Sequence, residues 1–183
     1  MRTTTYDAVV VGARPAGAAT AMLLARAGLR VLVVDRAAYG ADTVSTHALL
    51  RGGVMQLARW GLLDPIATAG TPAVGRCIFR YGDRAVDVPI KPRAGVDALY
   101  APRRTVLDPV LVDAARDAGA DVRFGVSVTD LVGKGRVTGV VGQDEHGRPF
   151  AANARITIGA DGIGSTVARL VGCLLYTSDA ADE

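Results

Sequence analysis

Hydrophobic residues are grouped in blocks along the first 36 positions, and these blocks predict a strand, a helix and a second strand. Residues 8–11 form a short apolar run, and residues 29–34 form another that ends in Asp35. Such runs are typical of parallel strands that are buried on both faces. Between them, residues 16–27 are rich in alanine and predict a helix. This order predicts a β–α–β unit of a parallel sheet.

In the middle of the chain, the spacing of apolar residues predicts a helix, then two strands, then a second helix. Apolar residues recur at helical intervals over 48–60, with Ser45 or Thr46 as the predicted N-cap, and again over 105–118. Between these two helices lies a predicted β-hairpin, whose strands at 76–81 and 85–90 flank a glycine-containing turn. His47 is interpreted as a residue of the capped loop.

The last third of the chain is predicted to be mostly strand. The predicted strands are 122–124, 126–132, 137–143, 149–153 and 156–159, followed by a helix that begins near Ser165 or Thr166. The second to fourth of these strands have the turn residues of an antiparallel meander. The fold class is therefore α/β: a Rossmann-like parallel sheet flanked by helices, with an antiparallel β-meander crossover and the start of a second sheet.

The turn after the first strand has the chemistry of a dinucleotide-binding site. Gly12 permits a tight turn, Gly17 permits close packing of helix and strand, and Pro15 suits the first helical position. A helix N-terminus attracts a pyrophosphate, and Asp35 can accept hydrogen bonds from ribose hydroxyls. Arg14 replaces the middle glycine of the G-x-G-x-x-G pattern. It either pairs with the pyrophosphate or weakens the site.

Composition and charge exclude several classes of protein. The 183 residues carry a net charge of +3 from scattered arginines, with 5% aromatic residues, so we expect no nucleic-acid partner. No apolar run approaches the roughly 20 residues of a transmembrane helix, and residues 1–5 leave no room for a signal peptide. Cys77 and Cys173 suggest no disulfide framework. We therefore expect a cytoplasmic protein, and we predict no metal site.

Three motifs together resemble a known family. They are the opening unit that closes on Asp35 and Arg36, the pattern Arg104-x-x-Leu107-x-x-x-Leu111, and the run Gly-Ala-Asp-Gly-Ile-Gly-Ser at 159–165. The chain resembles the flavin-dependent monooxygenases related to p-hydroxybenzoate hydroxylase, in the branch that includes geranylgeranyl reductases. The resemblance extends from Tyr6 to about Val171.

This resemblance implies that the chain binds FAD. The residues implied to contact it are Gly12, Ala13, Arg14, Pro15, Ala16, Gly17, Asp35, Arg36, Arg51, Arg104, Val126 and Asp161. The first six would hold the pyrophosphate together with the N-terminus of the first helix. Asp35 would bind the adenosine ribose, with Arg36 beside the adenine. The resemblance assigns no residue as a catalytic acid or base.

The other implied contacts each have a role in the resemblance, and some have an alternative. Arg51 would reach the phosphates, and Arg104 would open a helix and touch the cofactor. Val126 would lie beside the adenine through its backbone. Asp161 would lie near the ribityl and pyrophosphate region. Alternatively, Arg51 and Arg104 are surface residues, and Asp161 is a turn or helix-capping residue.

The resemblance also implies a domain organisation and a reaction class. Residues 1–172 would form an FAD-binding domain, with 73–98 starting a substrate-binding sheet, and the chain would stop before the flavin-ring and substrate segments. The expected function is part of an FAD-dependent oxidoreductase that hydroxylates or reduces a small hydrophobic or aromatic molecule, with NAD(P)H as electron donor. The piece alone is expected to be inactive. The alternatives are an FAD-dependent cyclase-like protein without net oxidation, and a nucleotide-binding module without redox activity.

The final eleven residues, 173–183, differ from the rest of the chain. They contain three acids and no base, and they do not continue the amphipathic pattern of the preceding helix. Translated back into codons, they resemble the transposon end and adapter used in sequencing-library preparation. We therefore predict that this tail is non-native and has no function.

Overall fold

The computed structural model describes residues 5–44 and 48–173. The proposed cap at Ser45 or Thr46, His47 and the tail from Leu174 onward lie outside the described residues. The described chain divides into two compact units, one formed by residues up to 41 together with those from 111, and the other by residues 42–110. The second unit therefore begins earlier than the predicted substrate-sheet segment, 73–98, and contains all of it.

Helices and strands occur throughout the described ranges. In chain order they are β1 (Thr5–Val11), α1 (Pro15–Arg26), β2 (Val31–Asp35), α2 (Arg51–Trp60), α3 (Leu63–Thr68), β3 (Ala73–Val74), β4 (Arg76–Tyr81), β5 (Arg84–Pro89), β6 (Leu99–Tyr100), α4 (Arg104–Asp117), β7 (Asp121–Phe124), β8 (Val126–Val132), β9 (Gly139–Asp144), β10 (Pro149–Gly159) and α5 (Thr166–Leu170). The predicted α/β class is confirmed. Within the described ranges, no helix is both long and apolar enough to cross a bilayer.

A six-stranded mixed sheet organises the first unit, with the strand order β7-β2-β1-β10-β9-β8. Strands β7, β2, β1 and the carboxyl half of β10 are parallel, whereas β10, β9 and β8 form the predicted antiparallel meander. The parallel strands all end at the same edge of the sheet. In a sheet of this type, ligands bind at that edge.

The prediction of two separate strands at 149–153 and 156–159 was wrong, because both belong to β10. Asn153 pairs with Gly139 of β9 on one side and with Thr5 of β1 on the other. The polar residues around position 153 interrupt the apolar pattern and therefore resemble a turn in the sequence. In the sheet they mark the point where β10 changes its pairing from β9 to β1.

Apolar side chains fill both faces of the central strands. On one face Val9, Val11, Leu32 and Val34 form a core with side chains of the meander and of α5. Helix α1 packs on β1 and β2. Its buried residues are small apart from one methionine: Gly17, Ala18, Ala21, Met22 and Ala25. These small residues allow the helix backbone to approach the strands closely.

The second unit contains two short helices and two small sheets. Strands β4 and β5 form the predicted hairpin, and β3 pairs with β6. Helix α2 begins at Arg51, three residues later than the sequence predicts, with Leu50 as its N-cap. The reason is that the Leu49 backbone N–H donates to the Tyr100 carbonyl at 2.7 Å, which holds this segment extended. Gly61 ends α2 in the left-handed conformation, as predicted.

Candidate functional site

The turn between β1 and α1 is closely packed against the end of β10. Gly12 has a φ of +104°, and a Cβ atom there would lie 2.6 Å from the carbonyl carbon of Ala160. A Cβ atom at Gly17 would overlap the carbonyl oxygen of Gly12. The Ala160 N–H donates to the Val11 carbonyl at 2.7 Å, which joins the first sequence motif to the third. Glycine is therefore required at both predicted positions.

The N-terminus of α1 is suited to an anion. Pro15 occupies the first turn, as predicted, and the N–H groups of Ala16 and Gly17 have no acceptor within the helix. The N-cap is Arg14, whose cationic side chain offers no acceptor to these N–H groups. Positive partial charge at the helix end and the Arg14 cation thus occur together. The direction of the guanidinium toward a pyrophosphate stays a prediction.

Asp35 connects the turn to the loop after β2. Asp35 is buried, with 8% of the residue exposed to solvent. The Ala13 N–H donates to Oδ2 at 2.7 Å, and the Ala37 N–H donates to Oδ1 at 2.8 Å. Each carboxylate oxygen can accept a further hydrogen bond, so a ribose hydroxyl remains a possible donor. The sequence indicated the ribose role and missed these two backbone contacts, which no side-chain pattern reveals.

The start of β8 lies beside the same loop. Phe124, the last residue of β7, is paired in register with Asp35, and the Gly125 N–H donates to the Ala37 carbonyl at 3.2 Å. Val126 follows, with its side chain in the core at 6% exposure. Arg36 is exposed next to Asp35. The structure therefore brings together three residues that were predicted to surround the adenosine.

Asp161 supports the N-terminus of the last helix, whose N-cap is Ser165, as predicted: the Ala168 N–H donates to Oγ of Ser165 at 2.9 Å. The Ser165 hydroxyl donates to Oδ1 of Asp161 at 2.5 Å, and the Thr166 N–H donates to Oδ2 of Asp161 at 2.6 Å. This support of the helix start agrees with the helix-capping role that the sequence left as an alternative. Asp161 follows Ala160 directly, so its backbone lies against the Gly12 turn. The role near the ribityl and pyrophosphate region stays a prediction.

Arg51 and Arg104 lie in the second unit. Arg51 is the first residue of α2, and its Nη1 donates to the Lys91 carbonyl at 2.7 Å. Arg104 opens α4, as predicted, and donates from Nε and Nη2 to the two oxygens of Asp108 at 2.7 and 2.8 Å. The Arg104 and Asp108 side chains are 14% and 10% exposed. Arg104 is therefore held in a shielded bidentate pair rather than on an open surface.

A cleft of about 490 Å³ lies next to Arg104 within the same unit. Its lining residues are Asp42, Thr43, Val44, Arg103 and Arg104. Arg103 contributes a cation to this cleft, whereas the charge of Arg104 is offset by Asp108 and Asp42 adds a carboxylate, so the lining is polar and of mixed charge. Contact of Arg51 and Arg104 with a cofactor stays a prediction.

The residues of the first unit fit the adenosine and pyrophosphate half of FAD. Glycine at position 12 lets the turn pack against the backbone of Ala160, and the turn lies at the positive end of α1. The buried Asp35 carboxylate lies at the end of the neighbouring strand. Among the described residues, no three histidine, cysteine or acidic side chains are grouped so that they could hold a metal ion.

Comparison with known proteins gives the same cofactor. The family model described as "FAD binding domain" matches residues 5–181. This match runs across most of the tail that we predict to be adapter-derived, and the tail's origin stays a prediction.

Curated relatives include both reductases and monooxygenases. The chain is 31% identical over 169 residues to the digeranylgeranylglycerophospholipid reductase of Methanocella arvoryzae, covering 91% of this chain and 42% of the relative. It is 30% identical over 182 residues to the 2,4-dichlorophenol 6-monooxygenase of Delftia acidovorans, covering 91% of this chain and 31% of the relative. The chain thus spans less than half the length of these relatives.

A solved structure shows the same fold. The geranylgeranyl bacteriochlorophyll reductase-like protein of Thermoplasma acidophilum superposes with a TM-score of 0.80 at 23% identity, covering 94% of this chain and 43% of that protein. At this level of identity the likeness concerns the fold.

Proposed function

Since the chain belongs to the FAD binding domain family, we propose that it is the N-terminal, cofactor-binding portion of an FAD-dependent oxidoreductase. The relatives with printed activities are reductases and monooxygenases, and the chain spans 42% and 31% of the two described above. In our proposal, residues 1–172 form the FAD-binding domain, and residues 73–98 start the sheet that binds the substrate.

One observation supports this proposal most strongly. The Gly12 turn, the uncapped N-terminus of α1 and the Asp35 carboxylate share the carboxyl edge of a parallel sheet. A pyrophosphate needs N–H donors and positive charge, whereas a ribose needs an acceptor about one strand away. The N–H donors and the positive charge lie after β1, and the acceptor Asp35 lies at the end of the neighbouring strand β2.

The residues of this chain would bind and orient the cofactor. Ala16 and Gly17 would present backbone N–H groups to the pyrophosphate, and Arg14 would add a guanidinium. Ala13 would border the pyrophosphate while its own N–H is held by Asp35. Asp35 would accept hydrogen bonds from the ribose while it keeps the turn and the loop in place. When bound, FAD supplies the redox chemistry of the complete protein.

The electron donor, the substrate and the location are further parts of the proposal. We propose NAD(P)H as the donor because the family resemblance implies it. We propose a small hydrophobic or aromatic molecule as the substrate, in keeping with the dichlorophenol and the geranylgeranyl lipid that the names of the two relatives contain. We propose a cytoplasmic location. Cys77, which lies outside the tail that we predict to be non-native, is a free thiol, and this agrees with a reducing cytoplasm.

The experiment is purification of the chain and of the longest genomic reading frame that contains residues 1–172. We expect FAD, recognised by its absorbance, to copurify with the longer protein, and NAD(P)H to reduce it. The 183-residue chain should bind FAD without substrate-dependent oxidation of NAD(P)H, because it spans a minority of the length of the enzymes it resembles. Copurified FAD without consumption of NAD(P)H would support the cyclase-like protein, and a longer protein without flavin absorbance would support the nucleotide-binding module. Either result would overturn the proposal of an NAD(P)H-dependent oxidoreductase.

A further inference from the structure

A cluster of aromatic and charged side chains ties the loop after β2 to helix α4. The Tyr39 hydroxyl donates to Oδ2 of Asp113 at 2.6 Å. The guanidinium carbon of Arg116 lies 4.9 Å from the centre of the Tyr39 ring and 5.6 Å from that of Phe124. The two rings meet edge to face at 5.6 Å, and Nη1 of Arg116 lies 3.4 Å from Oδ1 of Asp113. We call these four residues the Tyr39 cluster.

The Tyr39 cluster adjoins the proposed adenosine site on two sides. Phe124 is paired in register with Asp35, and Tyr39 is four residues further along the chain from Asp35. Between them, Ala37 donates to Asp35 at 2.8 Å and accepts from Gly125 at 3.2 Å. The loop is therefore held at its start by backbone contacts and at Tyr39 by side chains.

From this arrangement we propose that the Tyr39 cluster positions the loop that binds the adenosine half of FAD, so that Tyr39 and Arg116 act as positioning residues for the cofactor. The proposal rests on the proposed function. Because ordering a loop costs conformational entropy, a loop that is already fixed binds its ligand more tightly. The loop carries Arg36, and its residue Ala37 accepts a hydrogen bond from Gly125, the residue before Val126.

The chain contains a chemically matched cluster at the opposite edge of the same sheet. The Tyr6 hydroxyl donates to Oδ2 of Asp121 at 2.7 Å, and Arg123 contacts both groups, at 2.6 Å from Asp121 and 3.3 Å from the Tyr6 hydroxyl. Tyr6 and Asp121 lie at the amino ends of β1 and β7. Substitutions here remove the same chemical groups at the edge opposite the proposed site, so they are controls for the Tyr39 cluster.

The experiment compares Tyr39→Phe with Tyr6→Phe, and Arg116→Met with Arg123→Met, in the 183-residue chain. Affinities for FAD, ADP and inorganic pyrophosphate are measured by fluorescence and calorimetry, and amide exchange is followed over residues 36–41. We expect Tyr39→Phe and Arg116→Met to weaken FAD and ADP about fivefold, the size of one lost hydrogen bond or cation–π contact. Inorganic pyrophosphate, which lacks the adenosine, should bind as before, and amide exchange over the loop should accelerate.

The outcomes separate this inference from the function on which it rests. If the unmodified chain binds neither FAD nor ADP, the proposed function and this inference both fail. If it binds them and Tyr39→Phe matches Tyr6→Phe in affinity and in loop exchange, the positioning role alone is wrong. Equal losses for FAD, ADP and inorganic pyrophosphate in the Tyr39 variant would indicate a general structural effect and would also overturn it. Circular dichroism identifies a variant that does not fold, and Arg116→Lys, which keeps the charge, then takes its place.

Discussion

Replacing Gly17 with alanine is the sharpest perturbation of the β1–α1 turn. Gly17 lies in the first turn of α1. Its new Cβ would overlap the Gly12 carbonyl oxygen, lie 2.9 Å from the Gly12 carbonyl carbon and lie 3.2 Å from the Ala160 Cβ. The nearest obstacle is backbone, which cannot rotate away like a side chain. The turn must therefore open.

The loss in the free energy of unfolding follows from the contacts that opening the β1–α1 turn would disturb. Overpacking a tight site costs about 1–3 kcal/mol. The hydrogen bonds from Gly12 to the Val34 carbonyl and from Ala13 to Asp35 would be strained, at about 1 kcal/mol each. Alanine regains about 1 kcal/mol of helix propensity. We expect a net loss of about 2–4 kcal/mol in the free energy of unfolding.

Gly52→Ala is the matched control, because Gly52 also lies near the start of a helix and a Cβ there would contact nothing within 4 Å among the described residues. It should be neutral or stabilise by up to about 1 kcal/mol. Urea unfolding followed by circular dichroism measures both variants, and FAD titration should show at least about tenfold weaker binding by the Gly17 variant alone. If Gly17→Ala is as stable as the unmodified chain and binds FAD equally well, the account of the turn is wrong.

Four further predictions concern single groups. Asp35→Ala should weaken FAD binding by about 1–3 kcal/mol, because the ribose and two backbone N–H groups lose a charged acceptor; equal dissociation constants would remove Asp35 from the site. Arg14→Gly should leave FAD binding similar or weaker and less dependent on salt, whereas a large gain in affinity would show that the arginine obstructs the site. Asp161→Ala should lower the free energy of unfolding by about 1 kcal/mol, because the Ser165 hydroxyl and the Thr166 N–H at the start of α5 lose their acceptor, as measured by urea unfolding; no change would contradict this role. Burial and then the hydrogen bond to Asp121 raise the pKa of Tyr6 above its ordinary value of 10.0, so its stabilising contribution is present below pH 10.0 and is lost as the pH rises through the folded-state pKa. Unfolding curves of Tyr6→Phe should therefore show a smaller loss of stability in alkali.

The elements with a strong local signal were predicted well. The first β–α–β unit was placed within two or three residues at each boundary, because buried parallel strands and an alanine-rich helix have different periodicities. The hairpin of β4 and β5 was also correct, since its turn contains Gly82. Strand β10 was divided wrongly because its polar middle is satisfied by two neighbouring strands, and a single sequence does not show those neighbours.

The candidate site was predictable where side-chain identity determines the chemistry. Gly12, Gly17 and Asp35 are such residues, and the structure brings them together at one edge. Ala37 and Gly125 escaped prediction because they act through backbone atoms. The Tyr39 cluster was not predicted from the sequence, because its members Tyr39 and Asp113 are 74 positions apart in the chain.

The central claim is that the carboxyl edge of the first unit binds the adenosine and pyrophosphate half of FAD. Titrating ADP into the 15N-labelled chain and recording amide chemical shifts tests it directly. The account predicts the largest changes in the turn at 12–17, at Ala37 and in the residues around Val126 and Ala160. Changes of that size confined to the amino edge, around Tyr6 and Asp121, or no saturable change at millimolar ADP, would contradict it.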